Sequence, residues 1–554
     1  MVRFLLCLFI LGGCASQSRK DQDSLRRYFI QKDFNKAEQF LESSSLKKEE
    51  NKLLYLMDKG TLAYYQEDYY KAAKIFDEAN DLVDKLYTKS VRELIASSII
   101  NDNTKTFYGA IFERSMLFYY QALSFYQLAQ KGSYEVEVKK DGATITQTKK
   151  LSSQEIKRNL DRVRSSLIAW NGFYDEMKQL RSAKTFLKDD YASRFYAASL
   201  HEALGTKQDL EIAFNLYKEV YDNFKLYAPT YKIFNDKFKE YNGELRDYFD
   251  KKIKKKDVKS LVLTELYNET ENYLKFKVLD LAKQARPSQY KRIGRKLQPK
   301  GYKYQEANVY FHIEAKTINP TKGKDYVLNL RTAIDAIEDP NKKALINGIG
   351  VPILSAFAFG TLGLGYVSHH GNVSVYHRHG AGEALVKEIG IEFELPDAEP
   401  NSDKIYRELI IKKGEAIVAQ VELTPINSLS DVAFVNAQER VANSFNKRAA
   451  RVGVKYALAI LAAYTTYKQM EEKNGLLAGP IAAGQYLLSQ KAIKESEKAD
   501  VRHWTTLPNL FLSARLKLDP GNYKVYLKTE KTEKLLKELI VEGRDKEIFT
   551  HRIF

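Results

Sequence analysis

The period of the hydrophobic pattern changes once along this chain, and that change constrains the fold more than any other feature. From about Ser24 to Phe249, apolar residues recur at spacings of three and four, almost without proline, which is typical of amphipathic helices. After about Pro299 they alternate with polar residues, which is typical of half-buried strands. The sequence therefore predicts an α+β fold, in which an α-helical half precedes a mostly antiparallel β-domain with an inserted helix pair.

The helical half, predicted over 25–285, places small and large residues at spacings similar to those of the tetratricopeptide repeat. In that repeat, small residues let two helices approach closely, and a large residue fills the gap between repeats. The matching residues are Gly60, Ala72, Phe76 and Ala79, then Ala213, Tyr217 and Val220, with a degenerate earlier copy at Ala37 and Leu41. The resemblance implies stacked helix pairs. The alternative is an irregular helical bundle with the same residues in its core.

The β-rich half is predicted over 304–554. Two pairs of alternating segments are each separated by turn residues, Lys413-Gly414-Glu415 in one pair and Asp519-Pro520-Gly521-Asn522 in the other, so each pair is predicted to form a hairpin. The inserted helices are predicted at about 435–471 and 481–499. A further hairpin, with Asp141-Gly142 as its turn, is predicted within the helical half.

The first fourteen residues have the pattern of an export signal. Arg3 precedes an apolar run that is too short to span a bilayer, and two glycines follow it. The segment Leu11-Gly12-Gly13-Cys14 resembles the bacterial lipobox. That resemblance implies cleavage of residues 1–13, acylation of Cys14 and, because Ala15 follows, sorting to the outer membrane facing the periplasm. Residues 14–24 are then expected to be a polar tether. The alternative is an ordinary signal peptide with an incidental cysteine.

Positive charge is concentrated in a predicted basic linker over 286–303. The chain carries 88 Lys and Arg against 71 Asp and Glu, a formal net charge of +17. The candidate anion-binding residues of the linker are Arg286, Lys291, Arg292, Arg295 and Lys296. For an exported protein we expect anionic lipid headgroups or acidic cell-wall polymers as ligands and no nucleic acid. The alternative is a solvated face without a ligand.

No arrangement of residues in the sequence indicates catalysis. The chain lacks a nucleophile elbow, a phosphate-binding Walker loop and a zinc-protease motif. Its most metal-like group is the histidine cluster His369, His370, His377 and His379, which contains no carboxylate. The apolar run Val351–Val367 is predicted to be a buried segment, with insertion into a membrane or a partner as the alternative. We therefore expect a protein that is not an enzyme and holds no cofactor or metal.

Two further motifs stand in the two halves of the chain. The first lies in a helical segment and contains Glu113 and Arg114. The second has the form Asp-x-Arg-x-Trp-x-x-Leu-Pro and comprises Asp500, Arg502, Trp504, Leu507 and Pro508. Both resemble motifs of an uncharacterised bacterial lipoprotein family with a tetratricopeptide-like N-terminal half. Phe118 stands where that family's helical motif is expected to have a histidine. The resemblance implies a fold and a compartment, and relatives are often associated with activators of peptidoglycan synthases.

The second motif also has an interpretation from its spacing. Asp500 and Arg502 are two residues apart, so on a strand they share a face and form an ion pair, and Arg502 then stacks on Trp504. We expect this group to lock the inserted helix pair onto the β-domain, with a ligand-binding surface as the alternative. The function expected overall is that of a non-catalytic scaffold for envelope proteins. The alternatives are a regulator that binds cell-wall or other anionic polymers, and, least favoured, an envelope enzyme.

Overall fold

The helical half forms as the hydrophobic period predicts. The computed structural model describes residues 17–93, 106–140, 143–180, 191–304, 306–337, 390–529, 532–543 and 546–554. The helices before the β-rich half are α1 (17–30), α2 (Phe34–Ser43), α3 (Lys52–Tyr65), α4 (Tyr69–Glu93), α5 (Ile111–Lys131), α6 (Ser153–Leu180), α7 (Tyr191–Leu204), α8 (Lys207–Tyr227), α9 (Phe238–Phe249), α10 (Glu265–Ala285) and α11 (Tyr290–Leu297).

Neighbouring helices pack in pairs through the small residues that the sequence singles out. In the pair α3–α4, a Cβ atom added at Gly60 would lie 2.6 Å from a ring carbon of Phe76, so only glycine allows this approach. Ala72, Phe76 and Ala79 are all buried. In the pair α7–α8, the buried residues of α8 include Ala213, Tyr217 and Val220. The helical architecture is therefore confirmed, at the level of packed helix pairs.

The β-hairpin predicted within the helical half is present. β1 (Ser133–Lys140) pairs with β2 (Ala143–Lys150) in an antiparallel register, and the turn residues Asp141 and Gly142 lie outside the described residues. The strands of the C-terminal half are β3 (Val309–Ala315), β4 (Thr321–Asn329), β5 (Gly390–Ala398), β6 (Glu408–Lys413), β7 (Ala416–Glu422), β8 (Thr424–Ser428), β9 (Leu510–Leu516), β10 (Gly521–Lys528), β11 (Glu533–Val541) and β12 (Glu547–Ile553).

Two four-stranded sheets share one apolar core. Their strand orders are β12-β3-β9-β8 and β11-β10-β6-β7, and a separate pair joins β4 to β5. The only parallel pairing between described strands is that of β12 with β3, so the mostly antiparallel prediction is confirmed. Phe311 on one sheet and Ile411 and Val525 on the other belong to the same buried cluster. The two sheets are therefore packed against each other.

One of the predicted hairpins is wrong. β6 and β7 pair around Lys413-Gly414-Glu415 as expected. β9 and β10, in contrast, lie in different sheets, and Asp519-Pro520-Gly521-Asn522 connects one sheet to the other. The reason is that β9 pairs on its two sides with β3 and β8, and β10 with β6 and β11.

The inserted helix pair is longer than predicted. Helical backbone runs over Leu429–Ser496, here called α13, with a non-helical conformation at Asn474 that divides it into two helices. The predicted bounds of 435–471 and 481–499 are therefore too short at the first helix and displaced at the second. A short helix, α12 (Leu330–Asp335), and the apolar face of β5 pack on α13. Ile391, Phe393 and Leu395 of β5 are buried in this cluster, as their alternation predicts.

The two halves of the chain do not form separate domains. The largest buried cluster contains Tyr119 of the helical half together with Trp504, Phe511 and Ile548 of the C-terminal half. The predicted boundary over 286–303 is also not a linker, since it contains α11 and packs on the same cluster. Sequence composition missed this because contacts between distant segments leave no local signal.

The tether predicted over 14–24 is also a helix in its described part. Residues 17–30 form α1, and Asp21 and Gln22 are buried. The Gln22 side chain donates to the His503 carbonyl at 2.6 Å, and Arg19 pairs with Glu394 at 2.9 Å. Polar composition indicates a solvated tether, but here the polar groups find partners in the C-terminal half, so the segment is folded.

Candidate functional site

The two sequence motifs meet at the start of α5. Glu113 lies in the first turn of this helix, and its Oε2 accepts the backbone N–H of Ala110. Its Oε1 accepts the backbone N–H of Trp504 at 2.6 Å, across 391 residues of sequence. A carboxylate at a helix N-terminus satisfies backbone donors that the helix leaves unpaired. Glu113 therefore joins the helical motif to the C-terminal motif through two backbone hydrogen bonds.

The Trp504 side chain continues this junction into α3. Its Nε1–H lies 3.0 Å from Thr61 Oγ1 and 3.1 Å from Thr506 Oγ1. Thr506 in turn donates its backbone N–H and its hydroxyl to Oδ1 of Asp58, at 3.0 and 2.8 Å. All these side chains are buried. These hydrogen bonds fasten the C-terminal motif to α3 and α5, and Trp504 also shares a buried cluster with Val432 and Ala433 of α13.

Two buried carboxyls at this junction have strongly raised pKa values. Burial raises the pKa of Asp58 to about 7, against the hydrogen bonds from Thr506, which lower it. Burial likewise raises the pKa of Glu113 to about 7, against the backbone bonds from Ala110 and Trp504. The negative charge of Glu113 further raises the pKa of Asp58. The junction is thus most stable when these carboxyls are protonated.

Asp500 and Arg502 form the ion pair that their spacing predicts. Arg502 Nη2 lies 2.8 Å from Asp500 Oδ2, and its Nη1 donates to Asn51 Oδ1 at 2.9 Å. The guanidinium lies over the ring of Phe107, 5.7 Å from its centroid, and not over Trp504 as expected. The segment is irregular and not a strand. Burial by itself would raise the pKa of Asp500, and the Arg502 charge overrides it and lowers that pKa.

A cleft of about 360 Å³ opens beside this junction. Glu113, Arg114, Asp500 and Arg502, all singled out in the sequence, line it. The remaining wall includes the exposed Arg440 of α13. Leu507 and Pro508 do not line the cleft; both are buried, and the Leu507 carbonyl accepts a hydrogen bond from Arg552 at 3.0 Å. In the cleft, the carboxylate of Glu113 accepts backbone N–H groups and that of Asp500 pairs with Arg502. This arrangement suits the binding and positioning of a ligand.

The basic residues of 286–303 fall into two groups. Arg286 is held by Glu211 at 2.9 Å and lies over the ring of Phe214, 4.8 Å from its centroid. The other four candidates are on α11 and are exposed, and none of them makes an ion pair with another described residue: Lys291, Arg292, Arg295 and Lys296. The structure therefore separates one structural arginine from four solvent-facing cations.

A groove of about 570 Å³ runs between α10 and α11 beside these cations. Lys291 and Arg295 line it, one helical turn apart, together with Tyr290 and Tyr302. The hydroxyls of the two tyrosines are 3.4 Å apart, and Tyr302 donates to Asp280 at 2.7 Å. Asp280 also pairs with the half-buried Arg515. The groove thus offers aromatic rings and two cations, while the carboxylate of Asp280, which contacts Tyr302, is paired with Arg515.

A buried ion pair that the sequence did not indicate joins two helices of the helical half, and a tyrosine of β3 in the C-terminal half also contacts it. Lys277 of α10 lies 2.6 Å from Glu202 of α7, and both side chains are 1% exposed. The Glu202 carboxylate also accepts the hydroxyls of Tyr217 at 3.0 Å and Tyr310 at 2.7 Å. Burial by itself would raise the pKa of Glu202, and the charge of Lys277 overrides it and lowers that pKa to about 2. No periodic pattern marks these positions, since their partners are far apart in sequence.

Glu314 of β3 is the centre of a second unpredicted group. Its carboxylate accepts the hydroxyls of Tyr120 at 3.0 Å and Tyr119 at 3.3 Å, and that of Tyr65. These tyrosines belong to α3 and α5, so the group again joins helices to a strand. The helical spacing of the aromatic residues around Tyr119 and Tyr120 indicates a buried face but not a carboxylate partner.

Several sequence predictions fall outside the described residues. These are Cys14, the apolar run Val351–Val367 and the histidine cluster His369–His379. Within the described ranges, no three His, Cys, Asp or Glu side chains are grouped as a metal ion would require. No helix of the described chain combines the length and the hydropathy needed to cross a bilayer.

Comparisons with known proteins found no relatives. No family model, no curated protein and no solved structure matches this chain. What the protein does must therefore be inferred from the geometry of its own residues.

A pH-dependent effect is expected from Glu113→Gln. Because the folded-state pKa of Glu113 is raised from 4.5 to about 7, its contribution to stability is complete below about pH 4.5 and is lost as the pH rises through 7. Glutamine does not ionise. The destabilisation caused by Glu113→Gln should therefore shrink by roughly 2–3 kcal/mol between pH 5 and pH 8.5.

Urea unfolding of the wild type and the variant at both pH values measures this difference. The exposed Glu240→Gln on α9 is the matched control for the effect of pH on such a comparison. A penalty for Glu113→Gln that stays constant or grows toward pH 8.5 would contradict the raised pKa.

Proposed function

We propose that this protein is a non-catalytic scaffold of the bacterial cell envelope, anchored to the outer membrane by acylated Cys14 and facing the periplasm. The observation that carries the proposal is the shared core of the two halves. Glu113, Trp504 and Glu314 hold the helices on the sheet through buried hydrogen bonds. A helical array held in one orientation presents a fixed surface to a partner protein, and binding of this kind requires no reactive group.

The finer architecture in this proposal is tetratricopeptide-like stacking of the helix pairs. The close approach at Gly60, where Phe76 fills the space, supports it. The burial of Ala213, Tyr217 and Val220 in a second pair supports it as well. Stacked pairs offer an extended concave surface, which suits peptides or proteins better than small substrates. Envelope proteins are therefore the partners we propose.

Crosslinking in living cells tests the scaffold proposal. The wild type and Cys14→Ser, each with a C-terminal affinity tag, are crosslinked, purified under denaturing conditions and compared by mass spectrometry. A discrete envelope protein that is recovered with the wild type and lost with Cys14→Ser is the expected result. Equal recovery with both forms would contradict a role for the anchor. Recovery of lipid or cell-wall material alone would contradict the scaffold.

A second candidate function is binding of an anionic envelope polymer, and the exposed cations of α11 favour it. Lys291 and Arg295 line the groove beside Tyr290 and Tyr302, which suits a chain of sugars bearing phosphate or carboxylate groups. Because exposed charges are screened by salt, binding of this kind weakens steeply as ionic strength rises.

Charge reversal on α11 provides a direct test. We expect Lys291→Glu combined with Arg295→Glu to reduce co-sedimentation with purified sacculi by about tenfold or more at low salt, since two attractive contacts become repulsive. The matched control is Lys207→Glu with Lys524→Glu, which changes the net charge equally at exposed positions outside the groove. Equal losses in both double variants would show that only net charge matters.

A further inference from the structure

The second helix of α13 exposes an apolar face. Between Asn474 and Gln490 the sequence contains no Asp, Glu, Lys or Arg, over about four helical turns. Its exposed side chains are those of Leu476 (88% exposed), Leu477, Ile481, Leu487 (59%) and Leu488. A helix that faces water normally carries charged or polar residues on that side. The composition of this face indicates that something other than water covers it.

The opposite face of the same helix is already occupied. Ala478, Ala482 and Tyr486 follow at intervals of four residues, and all three are buried. Ala482 and Tyr486 belong to the cluster that packs the second helix on the first and on β5. The exposed leucines therefore do not turn inward to complete the core. They form a separate outer surface of the helix pair.

Lysines stand at both ends of this outer surface. Lys473 precedes it, and Lys491 follows three residues after Leu488, on the same side of the helix. Both lysines are exposed, and neither forms an ion pair within the part of the chain that the structure describes. Helices that lie in the plane of a membrane interface combine an apolar face with flanking lysines that reach the lipid phosphates.

The start of the described chain lies beside the base of this helix pair. Arg19 of α1 donates to the Ala499 carbonyl at 2.9 Å and pairs with Glu394. The Glu394 backbone N–H in turn donates to the Glu497 carbonyl, at the end of α13, at 3.1 Å. Cys14 is only three residues before Gln17, a span of at most about 11 Å.

Distances along the helix place the apolar face within reach of the same membrane. Leu488 precedes Ser496, the last residue of α13, by eight residues, or about 12 Å along the axis. A lipid anchor at Cys14 therefore holds the base of the helix pair close to the bilayer surface. We propose that the outer face of 475–491 lies in the interfacial layer of the phospholipid membrane to which the protein is anchored. This inference rests on the anchoring at Cys14 put forward under the proposed function.

A fluorescent label at Leu487 tests the contact with lipid. The test protein is the full mature chain with an N-terminal histidine tag in place of Cys14, bound to phosphatidylcholine vesicles that contain a nickel-chelating lipid. This arrangement fixes the same terminus at a membrane whether or not the native chain is acylated, and the introduced cysteine is the only thiol. The label is attached at Leu487→Cys, or at Leu226→Cys on α8 as the control, where the leucine is also exposed.

We expect brominated phosphatidylcholine to quench the label at position 487 at least severalfold more than the label at position 226. Leu477→Glu with Leu488→Glu should abolish that difference. Equal quenching at both positions would overturn the inference. If the free chain instead forms a dimer that Leu477→Glu with Leu488→Glu dissociates, the face is an interface between copies and the inference is wrong.

Failure of the anchoring proposal gives a different result. If the native protein is not acylated, wild-type protein from cells fractionates like Cys14→Ser, whereas the quenching with nickel-anchored protein is unaffected. The two experiments therefore separate the lipid contact of the helix from the lipid anchor of the chain.

Discussion

Replacement of Trp504 by alanine is expected to lower the free energy of unfolding by about 3–5 kcal/mol, the range for a large buried aromatic residue. The indole is fully buried in the largest apolar cluster, 5.7 Å from the ring of Tyr120 and 6.1 Å from that of Phe76, centroid to centroid. Its Nε1–H also donates to Thr61 and Thr506. The variant loses both the packing and the donor at the point where the halves of the chain meet.

Urea unfolding followed by far-ultraviolet circular dichroism measures the effect. Trp504→Phe is the informative control, since it retains most of the packing and removes the N–H donor, at an expected cost of about 1–3 kcal/mol. In the wild type, helix and sheet signals should be lost in a single transition because they share a core. Two separated transitions in the wild type, or a loss below about 1 kcal/mol in Trp504→Ala, would contradict the role assigned to this junction.

Removal of one partner of the buried ion pair between Glu202 and Lys277 is expected to cost a similar amount. In Glu202→Gln the Lys277 ammonium stays buried without its counter-charge, and such changes typically destabilise by about 3–5 kcal/mol. Burial, which already lowers the pKa of Lys277 to about 8, would no longer be opposed by the charge of Glu202. The ammonium should then lose its proton more readily, so the penalty should be smaller at pH 9 than at pH 6.

The double variant Glu202→Gln with Lys277→Met separates charge from packing. Because it leaves no buried charge unpaired, it should recover much of the stability lost in Glu202→Gln alone. Lys275→Met is the matched control, a lysine of the same helix that pairs with Glu271 nearer the surface and should cost less than about 1 kcal/mol. Equal stabilities of Glu202→Gln and the wild type would contradict the expectation that an unpaired, buried Lys277 ammonium destabilises the protein.

Most predictions that rest on short-range pattern agree with the structure, the hairpin around Asp519-Pro520-Gly521-Asn522 being an exception. The period of three to four residues predicts the helices, and the period of two predicts β3, β5 and the β6–β7 hairpin. The β1–β2 hairpin and the small residue at Gly60 are also confirmed. These features depend on backbone geometry and side-chain volume within a few residues, which a sequence displays directly.

The candidate site contains contacts that short-range sequence pattern does not predict. Glu113, Arg114, Asp500 and Arg502 belong to two separate motifs and line one cleft, a juxtaposition that the sequence did not predict. The predicted ion pair between Asp500 and Arg502 is correct. The aromatic partner of Arg502 was not, since Phe107 approaches from a segment nearly 400 residues away in sequence. Spacing within one segment carries no information on such a neighbour.

The amino-acid sequence by itself determined the two halves and their elements, because hydrophobic period, turn residues and residue size act locally. Tertiary structure alone decided that the halves form one body, that β9 and β10 lie in different sheets, and that Glu202 meets Lys277. It also decided which leucines of α13 remain exposed. The physical reason is that burial and pairing of charges depend on chain segments that meet only in the folded protein, where desolvation makes each buried charge depend on its partner.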